Sequence, residues 1–164
     1  MSMSATGEMT AELREQRSQL IEQHGRVQKR LQDLSRLVAL QLTAESPRVW
    51  DTLLAQKQCL LDQLAAVNLE ALFLQTHWLI ERLSVEKSAD GADKLTQLRR
   101  YRDDNMALLQ EIARLETAAE ARLSQQVEEL RLVLAKSRRN TQVNSAYTGK
   151  ARVTATPRFL DNNC

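Results

Sequence analysis

The chain has 164 residues, of which 43% are hydrophobic, 27% charged and 4% aromatic. Four glycines and two prolines are too few chain-breakers for a many-stranded β fold, which needs a turn about every ten residues. Twenty-three basic residues against 21 acidic ones leave a net charge of +2, a balance that points to neither nucleic acid nor a membrane surface as partner. Leu, Gln, Glu, Arg and Ala dominate, as in long helices and coiled coils. The expected fold is all-α: three long antiparallel amphipathic helices in a coiled-coil-like bundle, with a flexible C-terminal tail. The expected divisions are a frayed N-terminus over 1–8, the bundle over 9–137 and the tail over 138–164.

Residues 1–8 are polar and lack the apolar run of a secretory signal. The spacing then predicts a first helix over 9–42. Its seam, Leu20, His24, Val27, Leu31, Leu34 and Val38, alternates steps of four and three, the a/d rhythm of a coiled coil. His24 in that seam reads as a polar register marker. Ser46-Pro47 marks the next start, with a capping hydroxyl followed by proline at the first helical position. So short a link folds the second helix back against the first.

The second helix is expected over 47–83, with the seam Trp50, Leu53, Lys57, Leu60, Leu64, Val67, Ala71, Leu74 and Trp78. A flanking row of Leu54, Leu61, Leu72, Leu79 and Leu83 widens the face enough to touch two neighbours. No run of ~18 apolar residues exists that could span a bilayer. Cys59 reads as a small hydrophobe near the core. With only Cys164 as a second thiol, a reducing, cytoplasmic setting is expected rather than a disulfide framework.

Ser84–Gly91 is a polar break. A third helix is expected over 92–136, with Leu95, Leu98, Leu108, Leu109, Ile112, Leu115, Ala119, Leu123, Val127, Leu130 and Leu134 on its seam. The polar run Arg99 to Asn105 interrupts that seam and predicts a polar layer inside the bundle. Pairs such as Glu111/Arg114 and Glu128/Arg131 add a few tenths of a kcal/mol each. Beyond Ser137 aliphatic residues thin out and basic ones dominate, so the tail buries too little to offset its ordering entropy. Tyr147 and the Phe159-Leu160 pair stand in it as apolar anchors of a short binding motif.

Enzymatic motifs are missing, so an enzyme is not expected, nor a cofactor or metal. The glycines are isolated at 7, 25, 91 and 149, which gives no phosphate-cradling loop. His24 and His77 lie on different helices, without the spacing of a helical zinc pair. His77 beside Trp78 reads as a packed or boundary histidine. Asp103/Asp104 and Glu128/Glu129 are adjacent and belong to a solvated face. The basic clusters Arg99-Arg100-Tyr101-Arg102 and Lys136-Ser137-Arg138-Arg139 are too narrow for a nucleic-acid face, and acids follow the first directly.

Such helices suit an interaction protein whose apolar faces are covered by one another, by a second copy in a homodimer, or by a client segment. The stretch Gln56-Lys57-Gln58-Cys59-Leu60-Leu61-Asp62-Gln63-Leu64 resembles the K-x-x-L-L-x-x-L core of FlgN-like flagellar type III export chaperones. Tyr101-Arg102-Asp103-Asp104-Asn105-Met106-Ala107-Leu108-Leu109 is similar to that family's Asn-containing patch followed by Leu-Leu. Ala146-Tyr147-Thr148-Gly149 is similar to its tail motif. The likeness covers roughly residues 45–150. It implies a cytoplasmic chaperone that holds the amphipathic C-terminal helices of the hook–filament junction proteins FlgK and FlgL before export. It also implies client anchors at Leu123, Val127, Leu130, Val133 and Leu134, with Tyr147 available to an export-gate component. The chain departs from the family in its slightly basic charge and in its closing Pro157-Arg158-Phe159-Leu160-Asp161. A structural coiled-coil stalk or scaffold and an adaptor of another secretion system are the competing readings.

Overall fold

The computed structural model describes the backbone of residues 3–84 and 89–154 and the side chains of residues 10–84 and 91–149. Those residues form four α-helices: α1 (Met3–Thr43), α2 (Pro47–Ala65), α3 (Leu69–Leu83) and α4 (Ala89–Thr154). Two compact units divide the chain, Met1–Glu120 and Ala121–Cys164. The all-α expectation holds, but the count is four helices rather than three.

In the first unit, α1 supplies the central apolar stripe. Leu20, Val27, Leu31, Leu34 and Val38 are all buried, and polar Arg17, His24 and Gln41 continue the same three-and-four spacing. The helix starts at Met3, earlier than its apolar seam marks. At its far end Trp50 Nε1 donates to the Ala44 carbonyl at 3.3 Å and closes the turn into α2. Ser46 occupies the N-cap with extended backbone, but its side chain makes no capping hydrogen bond. Pro47 explains the start of α2 by itself, since it holds the helical φ and has no N–H to satisfy.

The expected second helix is broken at residues 66–68. Ala66 N–H returns to the Asp62 carbonyl at 3.1 Å and Val67 N–H to that of Leu64 at 3.0 Å, which ends α2. Asn68 Oδ1 then accepts from Ala71 N–H at 3.0 Å and caps α3. Glu70 adds a negative charge in the first turn of α3, where the helix dipole favours it. The break rotates the apolar face. Leu53 and Leu64 are buried in α2, as the seam predicts, while Leu54 and Leu61 of the flanking row are exposed. In α3 the roles reverse: Leu72, Leu79 and Leu83 of the flanking row are buried, and the seam residues Leu74 and Trp78 are 63% and 46% exposed. A one-residue offset in the heptad corresponds to a turn of about 100°.

Hydrogen bonds fix the helix directions. From α1, Arg30 Nη1 donates to the Gln63 carbonyl at 3.2 Å and His24 bonds Thr76, so α2 and α3 both run back along α1. Arg17 Nη1 donates to the Gly91 carbonyl at 3.2 Å, and Asn105 bonds His24, so α4 starts out parallel to α1. From α4, Leu95, Leu98, Ile112, Leu115 and Ala119 complete the core. Lys57, an apparent intruder in the α2 seam, forms an ion pair with Glu116 of α4.

The last helix also runs on well past Lys136, the expected helix end, to Thr154. In the second unit the residues from Arg138 to Gly149, expected as a flexible tail, are therefore helical, Tyr147 among them. Local helical hydrogen bonding needs no apolar core, and Thr141, Ser145 and Thr148 direct their hydroxyls to carbonyls three or four residues earlier. The tail anchors Phe159 and Leu160, and Cys164, lie outside the described residues.

Candidate functional site: an exposed apolar stripe and a buried polar layer

The expected client anchors lie on α4 in the second unit. Leu123, Val127, Leu130, Val133 and Leu134 are all exposed, Leu130 and Val133 most of all at 62% each. At about 100° per residue, Leu123, Val127, Leu130 and Leu134 fall within an arc of about 60°. Val133 lies about 60° outside that arc, and Leu132, also exposed, is on the opposite side of the helix. In sequence the four continue the spacing that buries Ile112 and Ala119 in the first unit. Charged groups near the stripe are held within the helix: Arg131 pairs with Glu128 at 3.7 Å, and Gln125 Nε2 donates to Glu129 Oε1 at 3.1 Å. The result is an apolar line about three turns long with polar flanks, suited to packing against another amphipathic helix. Tyr147 is 73% exposed on the same helix.

The polar layer expected around 99–105 is built from three helices. His24 of α1, Thr76 of α3 and Asn105 of α4 have no exposed surface. Thr76 Oγ1 donates its single proton to the Leu72 carbonyl at 2.7 Å. It therefore accepts at the 2.8 Å contact with His24 Nε2, which carries a proton. His24 Nδ1 is then the acceptor for Asn105 Nδ2–H at 3.1 Å, and the second Nδ2 hydrogen reaches the His24 carbonyl at 3.1 Å. The ring is thus a neutral imidazole with both nitrogens occupied. Phe73 meets it edge-on, with ring centroids 5.5 Å apart. Burial, with a smaller contribution from the Arg102 charge, lowers the His24 pKa from 6.5 to about 4. Asn105 Oδ1 is buried without a hydrogen-bond partner. Turning the amide over would set that oxygen against two acceptors, so the observed orientation is the better one.

A second apolar surface, missed in the sequence, lies in the first unit between α3 and α4. It is an open groove of about 620 Å³, and Phe73, Leu74, Met106 and Ala107 contribute its apolar lining. Leu74 faces it because of the rotation at 66–68. Trp78 lies instead beside Gln16, Gln19 and Leu20 of α1, with Arg82 4.7 Å over its exposed ring. The capping pattern Asn68-Leu69-Glu70-Ala71 was the available signal: a good N-cap residue with an acid two positions on.

Other expected residues are ordinary surface. His77, read as a packed or boundary residue, is exposed and pairs with Glu81 at 3.3 Å. Cys59, expected near the core, is instead exposed, with Gln63 Nε2 3.5 Å from its sulfur. Within the first basic cluster, Arg100 pairs with Asp104 at 3.8 Å and Arg102 with Asp103 at 2.8 Å. Among the described residues no group of three His, Cys, Asp or Glu is placed to hold a metal ion, and no helix is long and apolar enough to cross a membrane.

The molecule is defined as an all-α protein with a core of four helices and an exposed apolar helix face. No protein-family model, no curated protein and no solved structure matches the chain.

Proposed function

We propose that this chain is an export chaperone that binds amphipathic helices of client proteins along the α4 stripe. The observation that supports this reading is the exposure of Leu123, Val127, Leu130 and Leu134 on one arc of one helix. A client helix with anchors at i, i+3, i+4 and i+7 would cover that line. Such client helices associate prematurely when left free, which gives a chaperone its purpose. The resemblance to FlgN-like chaperones narrows the clients to the C-terminal helices of the hook–filament junction proteins, FlgK and FlgL, in the cytoplasm. On the same reading Tyr147 is free to meet an export-gate component while the stripe is occupied, and Phe159-Leu160 serves as a further short anchor.

The test is calorimetry of the full chain with C-terminal fragments of FlgK and FlgL. A 1:1 complex with a Kd of roughly micromolar or tighter is expected. Leu130→Ala and Leu134→Ala should each weaken it about 5- to 30-fold, since each removes about 1–2 kcal/mol of apolar burial. Full affinity in the double variant removes this site.

The same stripe also favours a second reading, a coiled-coil stalk or scaffold that pairs with its own copy, or an adaptor of another secretion system. A stable dimer that ignores the client fragments would establish the scaffold. Light scattering across a concentration series separates the two.

A further inference from the structure

The His24–Thr76–Asn105 layer joins α1, α3 and α4 by side-chain hydrogen bonds inside the core, with buried Arg17 and Gln41 further along the same α1 stripe. Its arrangement admits only one protonation state of the ring. Nε2 donates to Thr76, whose own proton is committed to the Leu72 carbonyl. Nδ1 accepts from Asn105 Nδ2, which has no lone pair to offer in return.

We infer that this layer is a proton-operated latch: the neutral His24 ring ties α4 to α1, and protonation at Nδ1 releases α4 while the bond from α1 to Thr76 of α3 remains. A proton on Nδ1 sets two donors against each other across the 3.1 Å contact. Rotating the Asn105 amide would bring Oδ1 to the new N–H. It would also set that oxygen against the His24 carbonyl and strand the NH2 group, so neither orientation satisfies the protonated layer. On the α3 side the bond needs no change, because Nε2 donates in both states.

The surroundings leave the new charge without a counter-ion. On α4 the charged group acting on the ring is the Arg102 guanidinium, which opposes protonation. The neighbouring Asp103 is engaged by Arg102, and Asp104 by Arg100 and by Gln28 Nε2 at 3.5 Å. From α4 Tyr101 also approaches, its hydroxyl lying beside Gly25. On α3 the groups facing the ring are Thr76 and Phe73, while His77 and Glu81 are exposed and pair with each other. On α1 itself the neighbouring Arg26 and Glu22 are exposed and paired.

The experiment is hydrogen–deuterium exchange of the full chain at pH 7 and pH 5, corrected for intrinsic rates, beside the His24→Gln variant. With a ring pKa of about 4 when latched, and the ordinary 6.5 as the upper limit when released, opening rises up to about 20-fold from pH 7 to pH 5. The rise is expected in peptides covering residues 95–112 of α4, with the α1–α2 turn unchanged, and should be absent in His24→Gln. An equal rise in every helix, no rise, or the same rise in His24→Gln overturns the latch. If circular dichroism shows that His24→Gln has not folded, Asn105→Asp takes its place. A carboxylate there also meets the His24 carbonyl, but it supplies the counter-ion that the protonated ring lacks. In that variant α4 should therefore be better protected at pH 5 than at pH 7, and a response like the wild type overturns the proposal.

Discussion

Lys57 of α2 and Glu116 of α4 form an ion pair at the edge of the core, with 16% and 30% of their side chains exposed. The pair explains how a lysine occupies a seam position between Leu53 and Leu60. Most of its side chain is shielded from solvent, and its ammonium reaches the partner helix. Being partly shielded from solvent, it is worth more than a surface pair, though it carries a desolvation cost. A double-mutant cycle with Lys57→Ala and Glu116→Ala should give a coupling of about 1–2 kcal/mol in urea unfolding, against about 0.3 kcal/mol for Arg131 and Glu128. Equal couplings would show that Lys57 and Glu116 are fully solvated.

The interrupted second arm depends on Asn68. Its side chain satisfies Ala71 N–H at the start of α3. Asn68→Ala should cost about 1 kcal/mol of stability, and Asn68→Ser or Asn68→Asp should recover most of it. Thermal or urea unfolding checks this. A neutral Asn68→Ala would mean that solvent replaces the cap without loss.

Core and stripe should respond oppositely to the same chemistry. Leu31 is fully buried in α1, so Leu31→Ala should destabilise by about 2–5 kcal/mol. Leu130 is mostly exposed, so Leu130→Ala should change stability by less than about 0.5 kcal/mol. Comparing the two denaturation midpoints decides whether the stripe is spare surface. A large loss for Leu130→Ala would place that residue in an interface already formed, such as a dimer.

Gln41 ends the α1 stripe buried, with Nε2 lacking a hydrogen-bond partner. Gln41→Met removes the unsatisfied donor at nearly constant shape and should stabilise the chain by about 1 kcal/mol. A loss of stability would reveal a partner for the amide in solution.

Stability should fall on acidification because of His24. Its folded pKa of about 4 lies below the value of 6.5 expected when unfolded. As pH drops through 6.5 the unfolded chain takes up the proton first, so the contribution is complete above that value and declines down to about 4. The full loss is about 3 kcal/mol. It is read as the difference in pH dependence between the wild type and His24→Gln, since the carboxylates titrate in both. Parallel curves would mean that the ring titrates normally.

By itself the sequence determined the α1 stripe from Leu20 to Val38, the turn at Pro47 and a polar layer ending at Asn105. Each is a local signal: a repeated spacing of apolar side chains, a ring-fixed φ, a gap in a seam. It also put Leu123, Val127, Leu130 and Leu134 on one face, though not whether that face is covered. Only the tertiary structure decided which of two leucine rows α3 buries. The spacing of Leu74 and Trp78 is as regular as that of Leu72 and Leu79, and the choice turns on a one-residue offset at Asn68. It alone brought Thr76 and Asn105 to His24, residues 52 and 81 positions away along the chain. Periodicity records how a helix repeats along its own axis. Which neighbour meets it, and at what rotation, is set by packing among helices far apart in sequence.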